Sequence, residues 1–182
     1  MIKHMENAEK DATLYVADLM AAAARTAPKG SGKDKVVTAI LTGADKDYLA
    51  KVMHDLALEY NEQFFERDST NVTMSQCILI IGVKSEPFGL DNCSMCGFEN
   101  CAAMRKAGTN CVFNITDLGI AVGSAVSVAA NHRIDNRVMY SAGKAAVKMS
   151  LFPADVKVCY GIPLSTGSKS MYFDREPGAV LR

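Results

Sequence analysis

Four cysteines within nineteen residues constrain this 182-residue chain more than any other feature. Cys93, Cys96, Cys101 and Cys111 are spaced C-x2-C-x4-C-x9-C. Such side chains can face one centre only from loops and short turns. The flanking pattern agrees: from Lys84 to Asn114 hydrophobic periodicity disappears, and Pro87, Gly89, Gly97 and Gly108 punctuate the chain. A connection of 31 residues without a core pattern is too long for an ordinary loop. Residues 84–114 therefore read as a cysteine-rich insertion in a single domain spanning 1–182.

What the thiols do depends on the compartment. The chain opens Met1-Ile2-Lys3-His4-Met5-Glu6, polar from the start and without a secretory apolar run. The longest apolar run, Leu118 to Ala130, has thirteen residues, short of a bilayer span. A cytoplasmic chain with reduced thiols and no membrane association is the expectation. Lys+Arg 20 balance Asp+Glu 20, so the surface lacks the basic excess that nucleic acid demands.

In a reduced compartment, clustered thiols mean metal ligation. Structural zinc is usually held by two C-x2-C knuckles, and here only Cys93 and Cys96 form one. A four-iron cube suits a tight pair plus two more distant thiolates. Met95, Phe98, Ala102, Ala103 and Met104 can keep water from a reducible centre. The setting favours a [4Fe–4S] cluster, with zinc and thiol redox chemistry as alternatives. Cys77 and Cys159 lie in strand-like runs and are expected to be buried and inert.

The remaining pattern is α+β. Helices are expected over Glu6–Arg25, over Asp45–Phe65 and over Ala142–Leu151. A further one, capped by Thr116, should run from Asp117 to about Asn131. Strands are expected over Cys77–Val83 and over Val156–Tyr160, the latter ended by Gly161-Ile162-Pro163; Val36–Leu41 reads as a strand or a short helix. His54 and His132 read as a rim residue and a helix end.

Several stretches resemble known families. Asn92-Cys93-x-x-Cys96-Gly97-x-x-x-Cys101, followed by an Ala-rich helix, is similar to the four-iron domain of the corrinoid iron–sulfur protein. Ser94 stands where that group usually has Gly, and the fourth cysteine comes sooner. Ala22 to Gly30 resembles the helix-to-loop segment of FMN-dependent nitroreductases. Ile115 to Ala130 resembles their central helix at the dimer interface, and Lys148 to Pro163 their closing segment. The whole chain resembles an uncharacterised prokaryotic family of ferredoxin-domain-containing proteins, through Ala23–Gly30, the cysteines and Asp135–Gly143.

These resemblances imply a nitroreductase-like sheet flanked by helices, a homodimer and an FMN. Its phosphate would fall to Arg25, Lys29 and Gly30 in the first loop and to Lys169 and Arg175 in the tail. No stretch before Ala22 matches the Arg-Arg-Ser opening with which nitroreductases grip that phosphate. The expected function is electron transfer through the cluster, as an FMN-dependent oxidoreductase with a redox partner protein. The alternatives are a non-catalytic ferredoxin-like carrier or redox sensor, and a structural zinc-binding protein.

Overall fold

The computed structural model describes residues 2–173. Its centre is β2 (Cys77–Lys84), whose sequence CILIIGVK is buried along all but its last residue. An apolar run of this kind forms a strand covered on both faces. Antiparallel pairing to β1 (Val36–Thr42) sets Val36 opposite Val83 and Thr42 opposite Cys77. On its other side β4 (Val156–Ser165) sets Leu164 opposite Cys77. The two-residue β3 (Asp135–Asn136) extends β4, giving the order β1-β2-β4-β3.

The strand alternation divides the core in two. Cys77, Leu79, Ile81 and Val83 join α1 (Met5–Thr26) and α5 (Val112–Asn131) on one face of the sheet. Ile78 and Ile80 join α2 (Gly43–Tyr60), the α3 side chains Phe65 and Val72, and α6 (Tyr140–Lys148) on the other. Here α3 spans Gln63–Met74. The expected α+β arrangement, a sheet flanked by helices, is thus the one observed.

Three expectations change. The single helix over Asp45–Phe65 is two, because Asn61 takes a left-handed conformation (φ 54°) and ends α2. Asn tolerates that region at a helix C-terminus, so the chain turns and starts α3 two residues later. Pro163 does not end β4; the strand continues to Ser165, with Pro163 opposite Ile78. The central helix starts at Val112 rather than Asp117, and Thr116 lies inside it, its hydroxyl donating to the Val112 carbonyl.

That longer α5 is, by length and composition, the one helix among the described residues apolar enough to cross a membrane. It is a core helix: Leu118, Ala121, Ala125 and Ala129 are fully buried against the sheet and α1. Its outer flank, including Gly119, Ile120, Gly123, Ser127 and Ala130, is exposed.

Helix α6 lies on β4 at very close range. A Cβ on Gly143 would come within 1.8 Å of the Cys159 carbonyl oxygen, a backbone atom that cannot turn aside. We expect Gly143→Ala to lower stability by about 3 kcal/mol. A shift of the urea midpoint measures this, and an unchanged midpoint would contradict the packing.

Candidate metal centre

The cysteine segment is irregular, so its backbone needs partners from elsewhere. At its root the Ser85 N–H donates to the Asp155 carbonyl (2.7 Å). The Lys35 ammonium donates to the carbonyls of Glu86 (2.7 Å) and Pro87 (3.2 Å). The Asn114 side-chain amide donates to those of Lys84 (3.0 Å) and Glu86 (2.7 Å). Phe88 follows, its ring centroid 5.4 Å from that of Phe113. The ring also packs on Gly30, where a Cβ would approach it to 2.6 Å.

The turn carrying the first two thiols is tight. Asn92 and Ser94 both have positive φ (55° and 46°), a region that favours glycine. The Gly97 N–H donates to the Ser94 carbonyl (3.0 Å), and the Ser94 hydroxyl to the Glu99 carbonyl (3.1 Å). The left-handed backbone accounts for glycine as the usual residue at position 94 of the similar motif. Serine compensates by locking the loop with its hydroxyl.

Cys101 opens the short α4 (Cys101–Lys106), and the Asn100 side chain caps it by accepting the Ala103 N–H (2.9 Å). Cys111 is the N-cap residue of α5, and its side chain caps no first-turn N–H. The fourth thiol therefore stands at the positive end of a twenty-residue helix, where negative charge is favoured.

All four cysteines line one small hollow of about 20 Å³, partly open to solvent. Phe88, Phe98, Met104 and Phe113 complete an apolar wall. These groups form a small cluster of their own, separate from the two sheet cores. The thiols are free, with no disulfide among them. Among the described residues no three His, Cys, Asp or Glu side chains converge as one metal ion would require. A tetrahedral zinc holds its sulfurs about 2.3 Å away, and that focus is not preformed. Four thiols on one hollow are the donor set that a four-iron cluster takes.

Among the described residues, those expected to grip a flavin phosphate lie toward two ends of the sheet. The Lys29 ammonium, its side chain 4% exposed, donates to the Ala24 and Arg25 carbonyls (both 2.6 Å) at the end of α1. Arg25 pairs with Asp34 at 2.5 Å, and the Gly30 N–H donates to the buried Asp117 carboxylate at 3.0 Å. Lys169 is exposed on the segment after β4, which leaves the sheet beside Cys77. The first loop adjoins Lys84 at the other end of β2, about 23 Å away at strand rise. Arg175 lies outside the described residues.

Lys35, Asn114 and Asp117 were not singled out by sequence reasoning. A lone polar residue beside apolar neighbours was the available signal, and it does not say what the side chain holds. Cys77 and Cys159 are buried as expected, and burial pushes both thiols up to about 12. His54 is on an exposed rim beside Glu66, and His132 ends α5.

The architecture is that of the nitroreductases. A nitroreductase with bound FMN from Desulfitobacterium hafniense superposes with a TM-score of 0.57 at 14% identity, over 93% of this chain and 81% of that one. The NfrA1 nitroreductase of B. subtilis gives 0.58 at 9%, over 91% and 62%. The chain thus spans about three fifths of the length of several solved proteins that share the fold. A family described as uncharacterized proteins containing a ferredoxin domain matches residues 107–175. An uncharacterized protein of Archaeoglobus fulgidus is 40% identical over 185 residues, covering 97% of this chain and 99% of its own. The chain belongs to this ferredoxin-domain family. The matched segment contains Cys111 and begins after Cys93, Cys96 and Cys101.

Thiol exposure makes a direct prediction. Brief alkylation of the native, metal-free protein at pH 8, read by peptide mass spectrometry, should label Cys93, Cys96 and Cys101 first and Cys111 slowly. Cys77 and Cys159 should react only after unfolding, since they are buried and protonated there. Early labelling of either would contradict the fold.

Proposed function

We propose that this protein is a cytoplasmic iron–sulfur redox protein that binds a [4Fe–4S] cluster through Cys93, Cys96, Cys101 and Cys111. The observation that carries this reading is four free thiols lining one apolar hollow. When bound, such a cluster supplies one-electron transfer at a potential set by its surroundings. The chain's own residues do the rest. Phe88, Phe98, Met104 and Phe113 limit water at the thiols, and the start of α5 favours negative charge beside Cys111. Met95, 62% exposed on the rim, leaves an apolar contact for a redox partner protein.

The scaffold favours a second centre. Nitroreductases of the same fold are described with bound FMN, and a flavin joined to a one-electron centre would make the protein an oxidoreductase. Because the first loop and the tail leave opposite ends of the sheet, a flavin here would draw on two protomers. The exposed apolar flank of α5 supports a homodimer that could supply them. Without flavin, the protein is a ferredoxin-like carrier or sensor.

Anaerobic purification or reconstitution should give a brown protein with about four iron and four sulfide per chain. A colourless protein with one zinc per chain would overturn the cluster and leave a structural zinc role. In the cluster-bearing protein, Cys96→Ala should abolish binding and raise hydrogen exchange across 90–112 while the sheet stays protected, because the thiol hollow has its own packing cluster.

The flavin reading has a separate test. Acid extraction and chromatography should release FMN from a species that sediments as a dimer, and Ile120→Glu should yield monomers without flavin. Tight FMN binding by a monomer would contradict the two-protomer site.

A further inference from the structure

Lys35 presents a buried charge that its protein surroundings do not neutralise. The residue is 8% exposed, yet no carboxylate lies within 4.0 Å of its ammonium among the described residues. Lys29 and Lys46, whose side chains are also buried, differ: Asp34 lies 3.9 Å from the first and Asp47 2.7 Å from the second. The Lys35 ammonium has two carbonyl partners and stands 4.5 Å from the centroid of the Phe88 ring. That ring forms part of the wall of the thiol hollow. Carbonyl and ring dipoles soften a buried cation but do not cancel its charge, and an unpaired buried charge is costly.

We propose that Lys35 is the counter-charge of the anionic iron–sulfur centre in this hollow, a positioning residue that raises its reduction potential and anchors residues 86–88. This rests on the cluster reading above. Each electron added to the centre makes it more negative, so a fixed cation one ring away favours the reduced form. The charge is inside the protein, where salt screens it little. The same ammonium holds the carbonyls of Glu86 and Pro87, so the charge and the loop's root are fixed together.

The test compares wild type, Lys35→Gln and Lys35→Arg, each reconstituted anaerobically with iron and sulfide and titrated potentiometrically. Lys35→Gln keeps an amide donor for the carbonyls but removes the charge. Its midpoint should move to more negative potential at low and high salt alike, while Lys35→Arg stays near wild type. The urea midpoint of Lys35→Gln should fall more in the cluster-loaded protein than in the metal-free one. Equal midpoint potentials in all three proteins would overturn the proposal, as would equal urea shifts in the loaded and metal-free forms. Wild-type protein that takes up no iron and sulfide would instead overturn the cluster reading itself.

Discussion

A buried backbone without a ladder must find its hydrogen-bond partners in side chains, and that requirement organises the end of the molecule where the thiols lie. From the end of β2 onward, the carbonyls of Lys84, Glu86 and Pro87 take side-chain donors. Lys35, at the entrance to β1, and Asn114, in the first turn of α5, reach in and take them. Asp117, one turn further along α5, takes the Gly30 N–H and draws the first loop onto the same root. The Phe88 ring fills the space this leaves, against Gly30 and Phe113. Lys35 and Asn114 thus hold the root of an irregular segment, and Asp117 holds the first loop beside it.

The rigidity of those elements fixes the thiols in turn. Cys111 is placed by the first residue of a helix that is packed along one face for its whole length. Cys101 is placed by the capped start of α4, and the remaining pair by a turn whose left-handed residues leave it little freedom. The four sulfurs come from three local structures, yet they line one hollow.

Much of this was legible in the sequence. The buried strand at Cys77, the long first helix and the irregular cysteine segment all followed from apolar run length and periodicity. The start of α5 was placed too late, because Thr116 resembles a capping residue while Cys111 does not. As a result the link between the fourth thiol and the helix terminus was invisible. Asn61 hid a helix break for a similar reason: one residue in a permissive conformation interrupts an apolar pattern that continues on both sides. Lys29 shows the opposite failure. A cation after a helix looks like a phosphate ligand, but its flexible stem folds back onto the carbonyls that its own helix leaves open. Which partner a polar side chain finds depends on contacts distant in sequence, and a single chain does not record them.

Strand β1 stands at the margin of the sheet, with β2 as its ladder partner. Its sequence, VVTAILT, is uncharged and rich in β-branched residues, and its outer row of amides and carbonyls lacks a strand neighbour among the described residues. Segments of that composition can template pairing with another chain. The buried ammonium just before it belongs to the root of the thiol loop, so loosening that root also frees the entrance to the strand. Damage to the thiol-bearing end would then be felt as self-association at the sheet's rim.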